Sequence, residues 1–429
     1  MVAFSKYENY KDTSISWIQN IPTTWKIERA KWLFRKMERP VRSEDDVVTA
    51  FRDGEVTLRK NRREEGFTNA IQEHGYQGIR SGDLVISAMD AFAGAIGVSD
   101  SDGKSTPVYS VCIPSGEFYV NNYYYAYLIR YMAKSGFILS LSKGIRERST
   151  DFRFNDFANL YLPIPSKEEQ DKIVEFLDRK TAEIDQAIEQ KQRLIRLIKE
   201  QKAILIDRAV TKGLNPNVPM RDSGVDWIGE IPESWEIYRA KYLFKEINDR
   251  SKTGEEELLS VSHLTGVTPR SEKNVSMFMA EDYSGSKLCQ KDDLVINIMW
   301  AWMGALGVSK QTGIVSSSYG VFRQLKQNTL NSWYLEHLLR SRDYVAEYNR
   351  ISTGLHSSRL RLYAVMFLGI DIILPSKQEQ DLIEYTVTQK THEIDMIIDA
   401  AEREMKILEE FRSIIISQAV TGKMKIQPY

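Results

Sequence analysis

Apolar residues recur every three or four positions along two stretches, one in the middle of the chain and one near its C-terminal end. This spacing predicts helices with a single apolar stripe. Each stretch follows a Pro-Ser pair, at 165/166 and 375/376, and a glutamate lies three residues after each serine, as in a capping box. The predicted seam residues are Ile173, Leu177, Ile184, Ile188 and Ile195 in the first stretch and Ile383, Val387, Ile394, Ile398, Met405 and Leu408 in the second. Because neither helix can bury its stripe alone, we expect the two to pair as a coiled coil.

The rest of the chain has shorter apolar runs separated by Gly, Ser and Asp. These runs predict strands at 83–87, 108–113, 293–297 and 319–325, and short amphipathic helices at 121–132 and 331–342. Each long helix therefore follows a globular part that mixes helix and strand.

The two globular parts repeat one sequence with a displacement of 210 residues. Trp17, Ile18, Ile21, Pro22 and Trp25 return as Trp227, Ile228, Ile231, Pro232 and Trp235. A period this long indicates duplicated domains rather than a solenoid. We therefore predict an α+β protein: two mixed α/β domains joined by two long antiparallel coiled-coil helices, with an internal pseudo-two-fold duplication.

Four segments follow from these patterns. The predicted segments are a first domain at 1–165, a central long helix at 166–212, a second domain at 213–375 and a C-terminal long helix with its tail at 376–429. A pseudo-two-fold arrangement would also give two equivalent outer surfaces, so one partner protein could bind twice.

Composition narrows the class of protein. Hydrophobic residues make up 42% of the chain and charged residues 27%, which is typical of a globular protein. The sequence has no apolar run of the length that a membrane span needs, and Cys112 and Cys289 occupy unrelated places in the two copies. We expect a cytoplasmic protein without a disulfide framework.

Catalytic and cofactor motifs are incomplete. Residues 103–106, Gly-Lys-Ser-Thr, resemble the end of a phosphate-binding loop, but Val98 stands where the leading glycine belongs, so we interpret them as a surface turn. The Gly-x-x-Gly segments at 94–97 and 304–307 indicate close backbone packing. The five histidines form no metal-binding pattern. We expect no cofactor and no metal in this chain.

The net charge of -1 conceals local basic patches. Arginine can bind a guanine edge in two places, and lysine can bind phosphate, so basic loops suit duplex DNA. The predicted DNA-binding residues are Arg59, Arg62, Arg63, Lys143, Arg146, Arg148, Arg153, Arg270, His356, Arg359 and Arg361. The alternative for any one of them is a solvated charged loop. Residues 89–92, Met-Asp-Ala-Phe, differ from 299–302, Met-Trp-Ala-Trp, which suggests that the two domains read different targets.

Three motifs resemble the DNA specificity subunit of type I restriction-modification enzymes. They are Trp-Ile-x-x-Ile-Pro at 17–22 and 227–232, Asp-Leu-Val-Ile at 83–86 and 293–296, and Pro-Ser-x-x-Glu-Gln-Asp-x-Ile at 165–173 and 375–383. The resemblance implies two target-recognition domains that each read half of a split double-stranded site. It also implies that the helices space these domains and hold two copies of an adenine methyltransferase subunit, which a restriction and motor subunit joins.

The resemblance further implies that this chain is not catalytic by itself. S-adenosylmethionine, ATP and Mg²⁺ would belong to the partner subunits. Two other interpretations stay open: a fused restriction-methylation enzyme, which the missing motifs oppose, and a non-catalytic scaffold that joins two protein partners without reading DNA, which the basic loops oppose.

Overall fold

The computed structural model describes residues 5–62, 75–141, 151–273, 282–354 and 360–427. The chain divides into two compact units. The first unit contains residues 1–191 and 402–429, and the second contains residues 192–401. Each unit therefore takes part of both long helices, Lys167–Lys212 and Lys377–Val420. The domain boundaries predicted from the sequence lie at the start and end of the first long helix and at the start of the second.

The first unit is built around an antiparallel four-stranded sheet. Its strands follow the order Phe34–Lys36, Tyr109–Pro114, Leu84–Ser87 and Ile96–Val98. The other strands are Tyr10–Ile15, Ile18–Pro22, Lys26–Arg29, Val48–Ala50, Val56–Leu58, Gln77–Ile79, Gly103–Ser105 and Tyr161–Ile164. The short α-helices are Ala30–Leu33, Asn122–Lys134, Phe137–Leu141 and Phe154–Ala158, and 3₁₀ turns cover Arg59–Asn61 and Ala91–Ala93.

The second unit has the same strand order in its four-stranded sheet. The strands are Phe244–Ile247, Tyr319–Gln324, Leu294–Asn297 and Leu306–Val308. The other strands are Met220–Asp222, Glu230–Pro232, Glu236–Arg239, Leu259–Ser262, Gly266–Pro269, Lys287–Cys289, Gly313–Val315 and Asp371–Leu374. The short α-helices are Ser332–Leu339, Arg342–Ile351 and Ala364–Leu368, and 3₁₀ turns cover Ala240–Tyr242, Arg270–Glu272 and Ala301–Met303.

The predicted α+β class and the two paired long helices are confirmed. Two local predictions were wrong. The helix predicted at 331–342 ends at Leu339, and a separate helix begins at Arg342, because Ser341 adopts an extended backbone conformation between them. Residues 103–105 form a strand that pairs with Gln77–Ile79 rather than a surface turn. Gly103 is needed in that strand because a Cβ there would clash with the Asp46 carbonyl oxygen.

Both long helices begin at a capping serine that is tied to the adjacent core. In the first helix the Ser166 hydroxyl accepts from the Glu169 amide at 3.3 Å, and the Glu169 carboxylate accepts from the Ser166 amide at 3.1 Å. The same carboxylate accepts from the indole of buried Trp25 at 3.1 Å. In the second helix Glu379 accepts from Trp235 at 3.0 Å. The Ser376 hydroxyl accepts from the Glu379 amide at 3.2 Å. A serine thus caps each helix, and the glutamate three residues later binds a core tryptophan.

The glutamine that follows each capping glutamate makes a second connection. Gln170 is fully buried, donates to the Pro165 carbonyl at 3.0 Å and accepts from the Asn121 amide at 2.9 Å. Gln380 makes the matching bonds to Pro375 and Asn331 at 3.0 and 2.8 Å. Asn121 and Asn331 in turn cap short helices. The Pro-Ser-x-x-Glu-Gln motif therefore joins two helix starts in each unit.

The apolar stripes of the long helices enter the unit cores. Ile173, Leu177 and Ile184 pack in the core of the first unit together with Ile415 and Val420 from the end of the other long helix. Ile383 and Val387 pack in the core of the second unit, and Ile195 and Ile398 are also buried. Further seam residues are half-buried: Ile188, Ile394, Met405 and Leu408.

Ion pairs between the long helices show in which direction the helices run relative to each other. In the first unit, Asp185 contacts Arg412 at 3.2 Å and Lys191 contacts Glu404. In the second unit, Lys202 contacts Asp395 at 2.6 Å. Residue numbers rise along one helix as they fall along the other, so the helices are antiparallel where they pair.

The aspartate of each Asp-Leu-Val-Ile motif is buried and paired with an arginine. Asp293 accepts from Arg323 Nε and Nη2 at 2.8 and 2.7 Å and from the Gln290 amide at 2.8 Å. These hydrogen bonds raise the pKa of Arg323. In the first unit Asp83 pairs with Arg39 and also accepts from the Arg80 amide. A carboxylate that is this buried needs its partner, because an unpaired buried charge is costly.

Replacing Arg323 with alanine should destabilise the second unit by about 3–5 kcal/mol, since Asp293 would remain as a buried charge without its guanidinium. Urea unfolding followed by circular dichroism measures this loss. The matched variant Arg52→Ala removes an exposed pair with Asp90, and it should cost less than about 1 kcal/mol. Equal effects of the two substitutions would contradict the assignment.

Candidate nucleic-acid interface

A sharp corner follows the central strand of each unit. After Leu84–Ser87 and Leu294–Asn297 the chain enters the 3₁₀ turns Ala91–Ala93 and Ala301–Met303. Gly94 and Gly304 end these turns with φ of 97° and 81°, a left-handed conformation that favours glycine. We call residues 88–94 and 298–304 the corners. They present the side chains that differ between the two copies.

The two corners expose different surfaces. In the first unit the Met89 side chain is 53% exposed. In the second unit Trp300 is 49% exposed and its ring stacks on Trp302, with centroids 6.1 Å apart and planes 17° from parallel. The Trp302 indole donates to the Met299 carbonyl at 3.0 Å, which holds the pair in place. An exposed rigid aromatic pair suits stacking against a base or a sugar.

Two predicted DNA-binding residues lie beside the corners. The Phe152 amide donates to the Ala88 carbonyl at 3.0 Å, which places Arg153 next to the first corner. The Leu362 amide donates to the Ile298 carbonyl at 2.9 Å, which places Arg361 next to the second. The structure thus brings the segment around 152 and the segment around 362 to equivalent positions.

A cleft of about 610 Å³ lies at the corner of the first unit. Its lining includes Lys36, Met89, Asp151, Arg153 and Asn155. Arg153 Nε contacts Asp151 at 2.5 Å, and its side chain is 76% exposed. The cleft combines cationic, carboxylate, amide and apolar groups. The cationic and amide groups are of the kinds that bind phosphates and base edges. Sequence reasoning missed Lys36. Its counterpart in the second copy is Glu246, and that charge reversal is a signal that could have identified it.

Arg59 and Arg270 occupy equivalent places near the corners. Each begins a 3₁₀ turn after a hairpin, and their amides donate to the Val47 and Leu258 carbonyls at 2.8 Å. The strands Tyr109–Pro114 and Tyr319–Gln324 start opposite Ser87 and Asn297, the last residues before the corners. Burial raises the pKa of the tyrosine that begins each strand, and the positive charge of Arg59 or Arg270 opposes this rise. Both arginines therefore lie close to these tyrosines.

Their hydrogen bonding differs. Arg59 Nε donates to Thr49 Oγ1 at 3.3 Å. Arg270 has a buried Nη2 atom that has no hydrogen-bond partner among the described residues. Arg270 therefore keeps a donor that no described residue satisfies.

Arg62 is held by its own hairpin. Its Nη1 atom contacts Asp53 at 2.7 Å and Glu55 at 2.9 Å, and its guanidinium lies 4.3 Å from the centroid of the Phe51 ring. These two carboxylates compensate the positive charge of Arg62, which would otherwise be available to a DNA phosphate. The remaining predicted DNA-binding residues lie outside the described part of the chain: Arg63, Lys143, Arg146, Arg148, His356 and Arg359.

The described part of the chain offers neither a metal-binding cluster nor a membrane-spanning helix. It contains no group of three or more His, Cys, Asp and Glu side chains that could hold a metal ion. None of its helices has the length and apolarity needed to cross a membrane. Cys112 and Cys289 are free thiols, and burial raises the pKa of both.

Comparison with known families gives a match that covers part of the first unit and extends into the first long helix. Residues 46–195 match the model of the type I restriction modification DNA specificity domain. The type I restriction enzyme MjaVIII specificity subunit of Methanocaldococcus jannaschii is 24% identical over 312 residues, which cover 68% of each chain. The putative MjaX specificity subunit of the same organism is 20% identical and aligns with 100% of this chain and 99% of its own.

Solved structures share the fold at low sequence identity. One chain comes from a structural study of complex assembly and conformational transition of the type I R-M system. It has a TM-score of 0.61 and 16% identity, and the alignment covers 93% of this chain and 98% of that one. The HsdS subunit from Thermoanaerobacter tengcongensis has a TM-score of 0.52 and 17% identity, with 94% and 98% covered.

Proposed function

We propose that this chain reads a bipartite, asymmetric double-stranded DNA site, because residues 46–195 match the type I restriction modification DNA specificity domain and a specificity subunit aligns with 68% of the chain. Its proposed role is to direct adenine-N6 methylation and restriction by partner subunits. The observation that carries the asymmetry is the contrast between the corners. The same strand order presents Met89, Asp90 and Phe92 in one unit but Met299, Trp300 and Trp302 in the other. Different side chains on equivalent scaffolds favour different half-sites.

Each unit would read its half-site through the corner and the arginines beside it. Arginine can donate two hydrogen bonds to a guanine edge, and the exposed aromatic pair of the second corner can pack against an unstacked base or a sugar. The antiparallel long helices would set the length of the unread spacer, because a helix advances about 1.5 Å per residue. Gripping the duplex on both sides of the spacer would favour flipping of a target adenine into a methyltransferase.

Chemistry would take place in the partner subunits. S-adenosylmethionine belongs with the methyltransferase in this proposal, and ATP and Mg²⁺ belong with the restriction and motor subunit. This chain would contribute DNA positioning and docking surfaces, and it would catalyse no step by itself.

The proposal includes two methyltransferase copies on equivalent surfaces of the long helices. Leu197 and Ile407 lie 210 residues apart, and they are 51% and 62% exposed. Ile204 and Ile414 have the same separation and are 51% and 49% exposed. Exposed apolar residues at matching positions of a helix are typical of a surface that binds a partner.

Methylation mapping tests the proposed function. Cells that express the chain with its methyltransferase should show adenine methylation at one bipartite, asymmetric motif, and this methylation should disappear when the chain is deleted. A palindromic motif would refute the asymmetry. Methylation that does not depend on the chain would favour a scaffold that joins proteins without reading DNA.

Substitution of the equivalent arginines Arg59 and Arg270 tests whether each unit reads its own half-site. Arg59→Gln should weaken discrimination by about 1–3 kcal/mol in one half-site only, and Arg270→Gln should do so in the other. Binding to duplexes that are altered in one half-site at a time measures this effect. Arg42→Gln is the control, because that exposed guanidinium pairs with the equally exposed Asp102 at 3.4 Å and its removal leaves no buried charge. Effects of both variants on the same half-site would contradict the assignment.

Charge substitution tests the docking surfaces. Leu197→Glu and Ile407→Glu should each remove one methyltransferase copy from the complex, and together they should remove both, since a buried unpaired carboxylate opposes docking. Native mass spectrometry counts the copies. Gln192→Glu adds the same charge at an exposed polar position on another face of the first helix and should leave two copies bound.

A further inference from the structure

Three cations line one cleft of the first unit, between the helix Asn122–Lys134 and the end of the second long helix. The cleft has a volume of about 510 Å³, and its lining includes Arg130, Lys134, Arg412, Tyr127 and Glu409. Arg130 is half-buried, and one of its amino groups donates to the Asp53 backbone carbonyl. Arg412 pairs with Asp185 at 3.2 Å. Glu409 is the only carboxylate among the described residues that line this cleft.

The three cations are close enough to affect one another. Burial, followed by the charge of Arg412, lowers the pKa of Arg130. Burial, followed by the charges of Arg130 and Arg412, lowers the pKa of Lys134. The Nε atoms of Arg130 and Arg412 are buried and have no hydrogen-bond partner among the described residues. Like charges gathered in a polar cleft create a potential that attracts an anion.

The second unit shows what a compensated version of this arrangement looks like. Arg340 stands where the first unit has Arg130, and its Nη1 atom pairs with Glu336 at 2.9 Å. The first unit has Ala126 in place of Glu336, so Arg130 lacks this internal counter-ion. Tyr344 replaces Lys134, and its hydroxyl donates to the Asp371 carbonyl at 3.1 Å.

The counterpart of Arg412 is also better compensated. Lys202 stands at that position in the second unit and contacts both Asp395 oxygens, at 2.6 and 2.7 Å. The second unit has Tyr344 in place of Lys134 but Lys199 in place of Glu409, so the matched positions hold three cations in each unit. The difference is Glu336, which pairs with Arg340 in the second unit and has no equivalent beside Arg130 in the first.

The cleft is connected to the candidate DNA interface. Lys134 Cε would lie 3.9 Å from a Cβ on Gly94, the glycine that ends the first corner. Asp53 links the cleft to Arg62, because its carbonyl accepts from Arg130 while its carboxylate pairs with Arg62. An anion in the cleft would therefore lie beside a duplex that is read at the corner.

We infer that Arg130, Lys134 and Arg412 form a binding site for a phosphate of the DNA backbone in the first unit, where the arginine lacks the carboxylate that pairs with Arg340 in the second unit. This inference rests on the proposed DNA-reading function and adds a contact that does not depend on base sequence. A phosphate offers several acceptor oxygens to converging arginine and lysine donors. The chain would consequently grip the two sides of its site unequally.

The test is the salt dependence of duplex binding by the complete complex. Lys134→Gln and Arg412→Gln should each weaken binding roughly tenfold at low salt. Each should also make the slope of log K against log salt shallower by about 0.9, the value for one lost phosphate contact. The changes should be the same for target and non-target duplexes. Ala126→Glu, which supplies the counter-ion that the second unit has, should reduce the slope in the same way.

Lys202→Gln is the matched control. It breaks the equivalent helix-to-helix ion pair in the second unit, so it reproduces the structural loss of Arg412→Gln without touching the cleft. Its slope should equal that of the unmodified complex. A duplex with a neutral methylphosphonate at the contacted position should bind the unmodified complex more weakly, but it should cause no further loss with Lys134→Gln.

Slopes for Lys134→Gln and Arg412→Gln that equal the slope for Lys202→Gln would overturn the inference. Loss of a methyltransferase copy from these variants, with an unchanged slope, would also overturn it and would assign the cleft to a protein carboxylate. Failure of the proposed function is distinguishable, because the unmodified complex itself would then show no preference for its target duplex.

Discussion

The hydrogen bonds that join each long helix to its unit are the constraint on which the structure depends. Glu169 caps the first helix and accepts from buried Trp25, and Gln170 binds the backbone of the residue that caps a short helix. Side chains from the end of the other long helix fill the same core. A helix whose start is fixed in this way has little freedom to change direction where it leaves the core of its unit.

The sequence predicts the regular elements because their signals are local and strong. Apolar spacing of three and four, Pro-Ser starts and repeated strand runs account for the long helices and the central strands. The Gly-Lys-Ser-Thr segment was misread, because composition alone does not show that Gly103 faces the Asp46 carbonyl in a strand. The break before Arg342 was missed for a similar reason, since an apolar stripe continues across both helices.

The candidate site was less predictable because charge compensation depends on distant residues. Arg62 and Arg59 look alike in the sequence, yet the structure places both Asp53 and Glu55 against Arg62. Lys36 and Arg130 gave no signal in a search for basic runs. Comparison of the copies does reveal them, since Glu246 stands opposite Lys36 and Ala126 stands opposite Glu336. In a duplicated chain, differences at matched positions carry the information about specificity.

The first unit combines two segments that are far apart in the sequence, and this affects how it folds while the chain is being synthesised. Its core includes Ile415, Ala419 and Val420, and the Lys425 amide donates to the Ser5 carbonyl at 2.8 Å. At about 5–20 residues per second, a ribosome needs roughly 10–40 s to proceed from residue 191 to residue 402. The N-terminal half must wait through that interval with part of its core open. A prematurely terminated chain therefore exposes an incomplete core to chaperones and proteases, which links DNA reading to completion of the polypeptide.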